Sequence, residues 1–311
     1  MTRSTVRIPA STANLGSGYD AFGLALARYN TVTAELVDTP DDWTVTVTGE
    51  GAGEVSTGHD NLVVTSMRRL FFMAGERQAA ARIECHNDIP FGRGLGSSSA
   101  AIVGGLVAGN ALLGRPLGVH EIFRMAAEIE GHPDNVAAAL AGGFTICWSE
   151  GDESRFAHVD PPGGLAAVIV VSDAPLSTKT ARDLLPRSVP HTDAAFDAGR
   201  AGLLATGIVL GLGDLIGPGM NDRLHEQYRA AAVTDLEGVR EALLAAGADG
   251  AALSGAGPTI IGIVTGADDA SALARAGVVA ARAAVLLERG VGRRAPEVVA
   301  LDRTGAVIEP E

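Results

Sequence analysis

Two kinds of hydrophobic periodicity alternate along the chain and predict a mixture of strands and helices. Residues 43–48 alternate apolar and polar side chains, as a half-buried strand does, whereas residues 119–130 repeat apolar positions at helical spacing. No βαβ period repeats, which favours an α+β sandwich over a doubly wound parallel sheet. The predicted strands are 6–9, 43–48, 81–85, 165–171, 251–253, 259–264 and 297–301, with a polar loop at 11–18, and the predicted helices are 61–72 (opened by Asp60), 97–113, 119–130, 178–185, 194–212, 222–232, 235–246 and 268–288.

The helix predicted at 97–113 is apolar on every face, so we expect it to be enclosed at the centre of the fold. Its three internal glycines, Gly104, Gly105 and Gly109, each cost about 1 kcal/mol of helix propensity relative to alanine. That cost predicts that another element packs closely against the helix backbone.

The length of 311 residues predicts one large domain or two domains of medium size. Residues 151–164 carry charges, prolines and glycines, a composition typical of a domain junction. We therefore predict two domains, at residues 1–155 and 156–311.

The composition argues against several classes of partner. The net charge is −13, which opposes nonspecific binding to nucleic acid. The first residues lack the apolar core of a signal peptide, and the apolar stretches 100–113 and 203–216 are too short or too interrupted to span a membrane. Cys85 and Cys147 form no C-x-x-C pair, as expected for reduced thiols. We predict a cytoplasmic protein with no nucleic-acid or membrane partner.

The segment with the clearest chemistry is P-F-G-R-G-L-G-S-S-S-A-A, at residues 90–101. Glycines let backbone N–H groups approach an anion, and a helix N-terminus adds unpaired donors and a partial positive charge. Together these features favour a phosphate cradle, with a serine hydroxyl within reach of a magnesium ion. The segment is neither a G-x-x-x-x-G-K-[ST] loop nor a G-x-G-x-x-G fingerprint. The alternative is a glycine-rich turn that caps a buried helix.

Four further clusters carry side chains that a phosphoryl-transfer site uses. Asn14 and Asp20 lie in P-A-S-T-A-N-L-G-S-G-Y-D, and Glu128 offers hard oxygen donors ahead of H-P-D-N. Arg182 ends S-T-K-T-A-R, with Arg229 further along, and guanidinium groups match carboxylates bidentately. The fourth cluster, S-G-A-G-P-T, offers N–H groups to an anion. Each cluster also has a structural interpretation: an Asn/Gly turn, a helix stop with an Asp/Asn cap, a solvated helix face and a tight hairpin.

Taken in this order, P-A-S-T-A-N-L-G-S-G-Y-D, G-L-G-S-S-S-A and S-G-A-G-P-T resemble the motifs of the GHMP small-molecule kinases. The N-L-G-x-G-[FY]-D form, E-G-H-P-D-N and S-T-K-x-A-R are similar to the homoserine kinase branch, and the match covers residues 6–265. The resemblance implies ATP-dependent phosphorylation of the L-homoserine hydroxyl to O-phospho-L-homoserine, on the route to threonine. It also implies an N-terminal ATP-binding α+β domain with a left-handed βαβ crossover, a ferredoxin-like C-terminal domain, a substrate cleft between them and a homodimer.

The same resemblance implies a role for individual residues, of which the catalytic ones are Asn14, Asp134, Asn135 and Thr178. Asp20 is expected to hold the homoserine ammonium group, with Arg182 and Arg229 on its carboxylate, His132 beside the reacting hydroxyl and Gly255 in the turn that closes the cleft. The residues expected at ATP are Pro90, Phe91, Gly92, Arg93, Gly94, Leu95, Gly96, Ser97, Ser98, Ser99 and Ala100. Mg²⁺ is expected between Ser98 (or Ser97) and Glu128, which is preferred to Glu130 because its four-residue spacing to His132 matches related kinases.

Departures from the family pattern leave alternatives open. Ala138 stands where the family often has proline, and Ser17 and Tyr19 replace proline and phenylalanine, which leaves room for a paralogue acting on a homoserine-like amino alcohol. Asn135 occupies the place of an aspartate in mevalonate-type relatives, so we favour substrate alignment over a catalytic base, with Asp134 as the alternative base. Mevalonate has no amine to pair with Asp20, and a noncatalytic ligand sensor has no use for the complete polar set.

Overall fold

Two sheets with helices packed against them make up the protein. The computed structural model describes residues 2–77, 79–287 and 292–310. Within these ranges, seven strands form the first sheet and four form the second. The strands of the first sheet are β1 (Arg3–Asn14), β2 (Gly18–Val37), β3 (Thr44–Gly49), β4 (Ala80–Asn87), β5 (Phe144–Glu150), β6 (Glu153–Val159) and β11 (Val307–Glu309).

The first sheet is built around the long strand β2. Its main order is β11-β1-β2-β4-β3, and β5 pairs with the early part of β2 while β6 pairs with β5. Only β3 and β4 pair in parallel among these strands, and the helix α1 (Leu62–Met73) connects them as a βαβ unit. The helices α2 (Ser97–Leu112), α3 (Val119–Glu130) and α4 (Asp134–Ala141) complete this half of the molecule.

Helix α2 lies at the centre of the fold, as its uniformly apolar sequence predicts. An added Cβ on Gly104 would lie 2.8 Å from Val32 Cγ2, and one on Gly105 would lie 2.5 Å from the carbonyl oxygen of Val63. The helix thus packs against both the first sheet and α1 at distances that only glycine permits. The predicted close approach to its backbone is confirmed.

The second sheet has the connectivity of a ferredoxin-like domain. Its order is β10-β7-β9-β8 with antiparallel neighbours, so the chain runs β-α-β-β-α-β. Its strands are β7 (Leu165–Val170), β8 (Gly250–Leu253), β9 (Ile260–Thr265) and β10 (Glu297–Ala300). Its helices are α5 (Thr178–Asp183), α6 (His191–Leu210), α7 (Gly213–Gly219), α8 (Glu226–Arg229), a 3-10 turn (Ala230–Ala232), α9 (Leu236–Ala246) and α10 (Asp269–Leu287).

Four local predictions differ from the structure. The helix predicted at 222–232 begins at Glu226, and its residues 230–232 form a 3-10 turn. The predicted polar loop at 11–18 is largely strand, because β1 continues to Asn14 with its hydroxyl side chains buried and hydrogen-bonded. The predicted junction at 151–164 contains β6, which pairs with β5. Asn61, and not Asp60, caps α1, since its Oδ1 accepts the N–H of Val63 at 2.9 Å. Residue 288, at the end of the last predicted helix, lies outside the described residues.

Strand pairing crosses the predicted division of the chain. Strand β6 spans residue 155, and β11 from the C-terminal end pairs with β1. The division into 1–155 and 156–311 therefore stays a prediction.

Within the described residues, one helix, α10, is long and apolar enough to cross a membrane by length and composition. Its Ala272, Ala276, Val279 and Ala283 are buried, and they pack in the core of the second sheet. A core helix passes the same test of length and composition, so this helix is weak support for a membrane span.

Candidate active site

A cleft of about 210 Å³ brings together most of the residues singled out in the sequence. Its walls come from the β1–β2 turn, the glycine-rich loop before α2, the segment between α3 and α4, the start of α5, α8 and the turn between β8 and β9. The lining residues are Asn14, Asp20, Phe91, Gly92, Arg93, Gly94, Gly96, Ser97, Ser98, Glu130, His132, Asp134, Asn135, Leu176, Ser177, Thr178, Arg182, Arg229, Gly255, Ala256 and Gly257.

Backbone conformation explains why the glycines of the loop alternate. Gly92, Gly94 and Gly96 have φ values of 65°, 77° and 69°, in the left-handed region. An added Cβ on Gly94 would lie 2.4 Å from the Ser254 carbonyl oxygen, and one on Gly96 would lie 2.0 Å from Ser11 Oγ. The loop therefore needs glycine both for its conformation and for its contact with the β8–β9 turn.

The loop presents a continuous set of backbone donors. In the described part of the chain, no N–H from Gly92 to Ser99 donates a hydrogen bond to the protein, whereas the N–H of Ala100 donates to the Gly96 carbonyl at 2.9 Å. The loop carbonyls are occupied, because Leu176 N–H, Thr259 N–H and Ser254 Oγ donate to them. Such a concave set of N–H groups at a helix N-terminus is a site for an anion such as phosphate.

Some residues predicted at ATP lie outside the cleft. The side chains of Leu95 and Ala100 are buried in the core, Ser99 bonds to Glu130, and neither these residues nor Pro90 line the cleft.

The Arg93 guanidinium donates to the carbonyls of Ser172 (2.8 Å), Asp173 (2.6 Å) and Phe91 (2.9 Å). Arg93 therefore ties the loop to the segment after β7.

The preference for Glu128 over Glu130 is wrong. The Glu128 side chain is 62% exposed, pairs with Arg69 and does not line the cleft. Glu130 Oε1 accepts from Ser98 Oγ at 2.5 Å and from Ser99 Oγ at 2.8 Å. Two residues along a helix turn the side chain by about 200°, so the two carboxylates point to opposite sides of α3.

Helical periodicity contains the signal that identifies Glu130. Phe123, Ala126 and Ala127 form the buried stripe of α3, and Glu130 follows at the i, i+3, i+4, i+7 spacing. Glu128 lies off this stripe. The motif spacing to His132 pointed to the wrong carboxylate because it ignored this helical phase.

A chain of polar contacts leads from α3 into α4. His132 lies between two carboxylates, with Nε2 3.7 Å from Glu130 Oε1 and Nδ1 3.0 Å from Asp134 Oδ1. Burial opposes the charged imidazole, but the hydrogen bond to Asp134 and the two carboxylate charges outweigh it and raise the pKa of His132. Asp134 Oδ1 also accepts the N–H of Asn135 at 2.7 Å, and Ser11 Oγ donates to Asn135 Oδ1 at 3.0 Å.

Elsewhere in the cleft lining, Asp20 and Arg182 form a bidentate ion pair. Arg182 donates to Asp20 Oδ1 at 2.7 Å and Oδ2 at 3.0 Å, and it also donates to Tyr19 Oη at 3.0 Å. Asn14 Oδ1 accepts the Asp20 N–H at 2.9 Å, and its Nδ2 donates to the Gly255 carbonyl at 2.7 Å. These contacts join the N-terminal turn to α5 and to the β8–β9 turn across the cleft.

Arg229 is a buried cation beside this pair. Its residue is 1% exposed, and its guanidinium donates to the carbonyls of Gly255 (3.2 Å) and Ala181 (3.3 Å) and to His225 Nδ1 (3.0 Å). Among the described residues, no carboxylate forms an ion pair with it. Burial lowers the pKa of Arg229, yet the group stays protonated, so the cleft holds a cation with capacity for an anionic ligand.

The sequence motifs miss two parts of this site. Leu176 lines the cleft just before the S-T-K-T-A-R cluster, and only its position in the fold identifies it, whereas Ser177, Ala256 and Gly257 lie within clusters that the sequence singled out. His225 is fully buried behind Arg229. Its four-residue spacing to Arg229, one turn of helix, was the available signal.

Comparisons with known proteins identify the family of this chain. The family model "GHMP kinases N terminal domain" matches residues 61–143, and "GHMP kinases C terminal" matches residues 204–278. A homoserine kinase of Streptomyces avermitilis is 43% identical over 270 residues, which are 86% of this chain and 86% of that protein. The chain belongs to the homoserine kinase family.

Solved structures show the same homoserine kinase fold. The crystal structure of homoserine kinase from Cytophaga hutchinsonii superposes with a TM-score of 0.88 at 28% identity, over 99% of this chain and 98% of that one. Mevalonate diphosphate decarboxylase from Staphylococcus aureus has a TM-score of 0.73 at 16% identity over 99% and 98%, which shows the fold alone. The predicted two-domain GHMP kinase fold is confirmed.

Proposed function

We propose that this protein is a homoserine kinase, which transfers the γ-phosphoryl group of ATP to the side-chain hydroxyl of L-homoserine and releases O-phospho-L-homoserine and ADP. One observation carries the choice of acceptor. The Asp20–Arg182 pair and the buried Arg229 lie in the same cleft as the donor-lined loop. A small zwitterion with a hydroxyl matches one end of this cleft, and a polyphosphate matches the other.

The amino acid pairs with charges already present in the wall. Its carboxylate is bound by Arg229, which has no carboxylate partner among the described residues, and by Arg182. Its ammonium group pairs with Asp20. Asp20 and Arg182 neutralise each other in the structure, so binding exchanges one internal ion pair for two contacts with the ligand.

ATP binds with its phosphates on the N–H groups of the loop residues that line the cleft, residues 92–94 and 96–98. A small apolar cavity adjoins this loop and shares Phe91, Ser97 and Ser98 with the cleft. It is walled mainly by aliphatic side chains and by amide side chains that offer polar contacts, which suits the flat face and polar edge of an adenine base. Its lining residues are Asn30, Val32, Val47, Val55, Asn61, Leu62, Val63, Cys85, Asn87, Phe91, Ser97, Ser98 and Ala101.

The donor set beside the loop fits a magnesium ion. Ser98 Oγ and the Glu130 carboxylate are hard oxygen donors 2.5 Å apart at the start of α2. Within the described residues, no three His, Cys, Asp or Glu side chains form a metal cluster. Ser98 and Glu130 would hold a magnesium ion, with phosphate and water oxygens as its remaining ligands. When bound, it supplies positive charge to offset that of the phosphates.

Alignment of the acceptor hydroxyl is the contribution of the α4 side of the cleft. Asp134 is 2% exposed, and its Oδ1 already holds His132 and the Asn135 N–H, so it fixes these two side chains. The Asn135 amide has no basic character, and phosphoryl transfer depends chiefly on position and charge. An Asp134→Asn variant that loses the acid limb of the rate–pH profile contradicts this assignment in favour of Asp134 as a base.

The acceptor is tested by coupled ADP release with L-homoserine, N-acetyl-L-homoserine and mevalonate. We expect turnover with L-homoserine and a loss of at least about 100-fold in kcat/KM without the free amine, since the ionic contact with the half-buried Asp20 is lost. Turnover with mevalonate above that with L-homoserine overturns the proposal. ATP binding without turnover on any amino alcohol indicates a ligand sensor instead.

Membership of the homoserine kinase family also supports proposals on the cellular setting. We propose a cytoplasmic enzyme of threonine biosynthesis that forms a homodimer, with an ATP-binding domain near residues 1–155 and a C-terminal domain near 156–311. Size-exclusion chromatography with light scattering tests the dimer, and a monomer at micromolar concentration contradicts it.

A further inference from the structure

The imidazole of His225 lies behind the substrate cleft, in contact with two of its walls. His225 is 0% exposed, and it precedes α8, which carries Arg229. Its Nδ1 lies 3.0 Å from Arg229 Nη1, and its Nε2 lies 2.9 Å from the carbonyl oxygen of Gly16. One ring therefore bridges the buried guanidinium and the turn between β1 and β2.

The two partners fix the protonation state of this ring. A guanidinium can only donate a hydrogen bond, so Nδ1 must be the acceptor and carry no proton. A carbonyl oxygen can only accept, so Nε2 must carry the proton. His225 is thus neutral in the Nε2–H form, and a second proton would bring two N–H groups face to face. Burial is the main cause that lowers the pKa of His225, and the charge of Arg229 adds to it, against the opposing charge of Asp222.

The Gly16 turn carries the residues that face the ligand. Asn14 and Asp20 flank it, and both line the cleft. Gly16 has φ 81°, and an added Cβ there would lie 2.0 Å from the Met220 carbonyl oxygen, so the turn sits tightly on the segment after α7. Ser17 Oγ donates to the Gly219 carbonyl at 2.6 Å and adds a second contact to the same segment.

We propose that His225 is a positioning residue, which holds the Arg229 guanidinium at the cleft by accepting its hydrogen bond at Nδ1, while the Nε2–H bond to the Gly16 turn fixes the tautomer that can accept. The proposal rests on the proposed function, in which this guanidinium binds the carboxylate of the amino acid. The ring itself does not face the cleft. It acts on L-homoserine through Arg229, and it has no contact with the phosphate loop.

Two substitutions separate the two hydrogen bonds of the ring. His225→Asn retains an acceptor at the position of Nδ1 and loses the Nε2 donor, whereas His225→Gln retains a donor at the position of Nε2 and loses the acceptor. We expect His225→Gln to raise the KM for L-homoserine by at least about tenfold, the effect of one lost hydrogen bond to a charged group. We expect His225→Asn to raise it by no more than about threefold, and both variants to keep the KM for ATP within about twofold.

A structural role alone predicts a different pattern. Equal rises in the KM for L-homoserine in the two variants, or a parallel rise in the KM for ATP, overturn the proposal. If the wild-type protein releases no ADP with L-homoserine, the proposed function fails before His225 is tested.

The tautomer of His225 is tested on the wild-type protein, so that the proposal stays testable if the variants do not fold. Long-range ¹H–¹⁵N correlation spectra of the ¹⁵N-labelled wild type at pH 7 are expected to show one neutral imidazole with a protonated Nε2 and a bare Nδ1. A protonated Nδ1 at that ring removes the acceptor for Arg229 and overturns the proposal.

Discussion

The sharpest prediction concerns two glutamates on one helix, of which only Glu130 faces the cleft. In Glu130→Gln, the side chain keeps its size and loses the charge that accepts from Ser98 and Ser99 at 2.5 and 2.8 Å. The Glu130 side chain is 7% exposed, so its charge is poorly screened by water. Two unit charges about 4 Å apart interact by about 4 kcal/mol at an effective dielectric constant of about 20. Loss of one charge at a phosphoryl-transfer site therefore predicts a fall of about 10²–10³-fold in kcat/KM.

The matched control is Glu128→Gln, two residues earlier on the same helix. Its side chain is 62% exposed and pairs with Arg69 at the surface, so we expect a change in kcat/KM of less than about threefold. Coupled ADP release is measured for both variants across a Mg²⁺ titration, and Glu130→Gln is expected to need more Mg²⁺ for half-maximal rate. A large loss in Glu128→Gln with little change in Glu130→Gln refutes the reasoning.

Three other predictions test the substrate wall, the loop and a buried carboxyl pair. Arg229→Ala should raise the KM for L-homoserine by about 10–100-fold through loss of a charge-assisted contact, with a smaller change in the KM for ATP. The control Arg223→Ala removes a half-exposed arginine outside the cleft. Equal effects of the two substitutions contradict the role of Arg229 in substrate binding. Gly94→Ala should raise the KM for ATP and lower the melting temperature, since its Cβ would lie 2.4 Å from the Ser254 carbonyl oxygen. The control Gly114→Ala has a similar φ of 79° and open space around it, so only backbone strain destabilises it. Equal losses in the two variants count against the close contact of the loop. Burial and the neighbouring Asp222 raise the pKa of Asp197 from 3.8 to about 7, so the folded state keeps a proton that the unfolded chain releases, and stability falls as pH rises between those values. Asp197→Asn should therefore raise the melting temperature more at pH 8 than at pH 5. An equal rise at both pH values excludes this linkage.

Local sequence pattern was sufficient for most of the elements and for the glycine loop. Helix α2 has only apolar faces and three glycines, which demand an enclosed position and close neighbours, and both follow from short-range properties of the chain. The alternation of Gly92, Gly94 and Gly96 likewise reflects backbone conformation, because glycine adopts a positive φ without help from distant contacts.

Contacts between distant segments could not be predicted in the same way. Strand β11 has three residues and exists because it pairs with β1, some 300 positions earlier in the chain. Strand β6 lies in a segment whose charges, prolines and glycines are typical of a loop, and its partner β5 makes it a strand. The pairing energy that decides these elements is absent from any local pattern.

The candidate site divides along the same line. The polar side chains that meet in the cleft stand out by residue type, and the resemblance of their motifs to one kinase family predicted that they share a site. The choice between Glu128 and Glu130 needed the helical phase of α3, and the contact of His225 with Arg229 and Gly16 needed the packing of α8 against the β1–β2 turn.

In the proposed complex, loop amides bind the phosphates of ATP while Asp20, Arg182 and Arg229 orient L-homoserine for phosphoryl transfer. The most direct test is ³¹P NMR of the protein with ATP, Mg²⁺ and L-homoserine. We expect a phosphomonoester resonance that grows in step with ADP, and at least about 100-fold more slowly when N-acetyl-L-homoserine replaces L-homoserine at a concentration below its KM. Release of inorganic phosphate without a phosphomonoester, or an equal rate of phosphomonoester formation from the acetylated compound, contradicts the proposed complex.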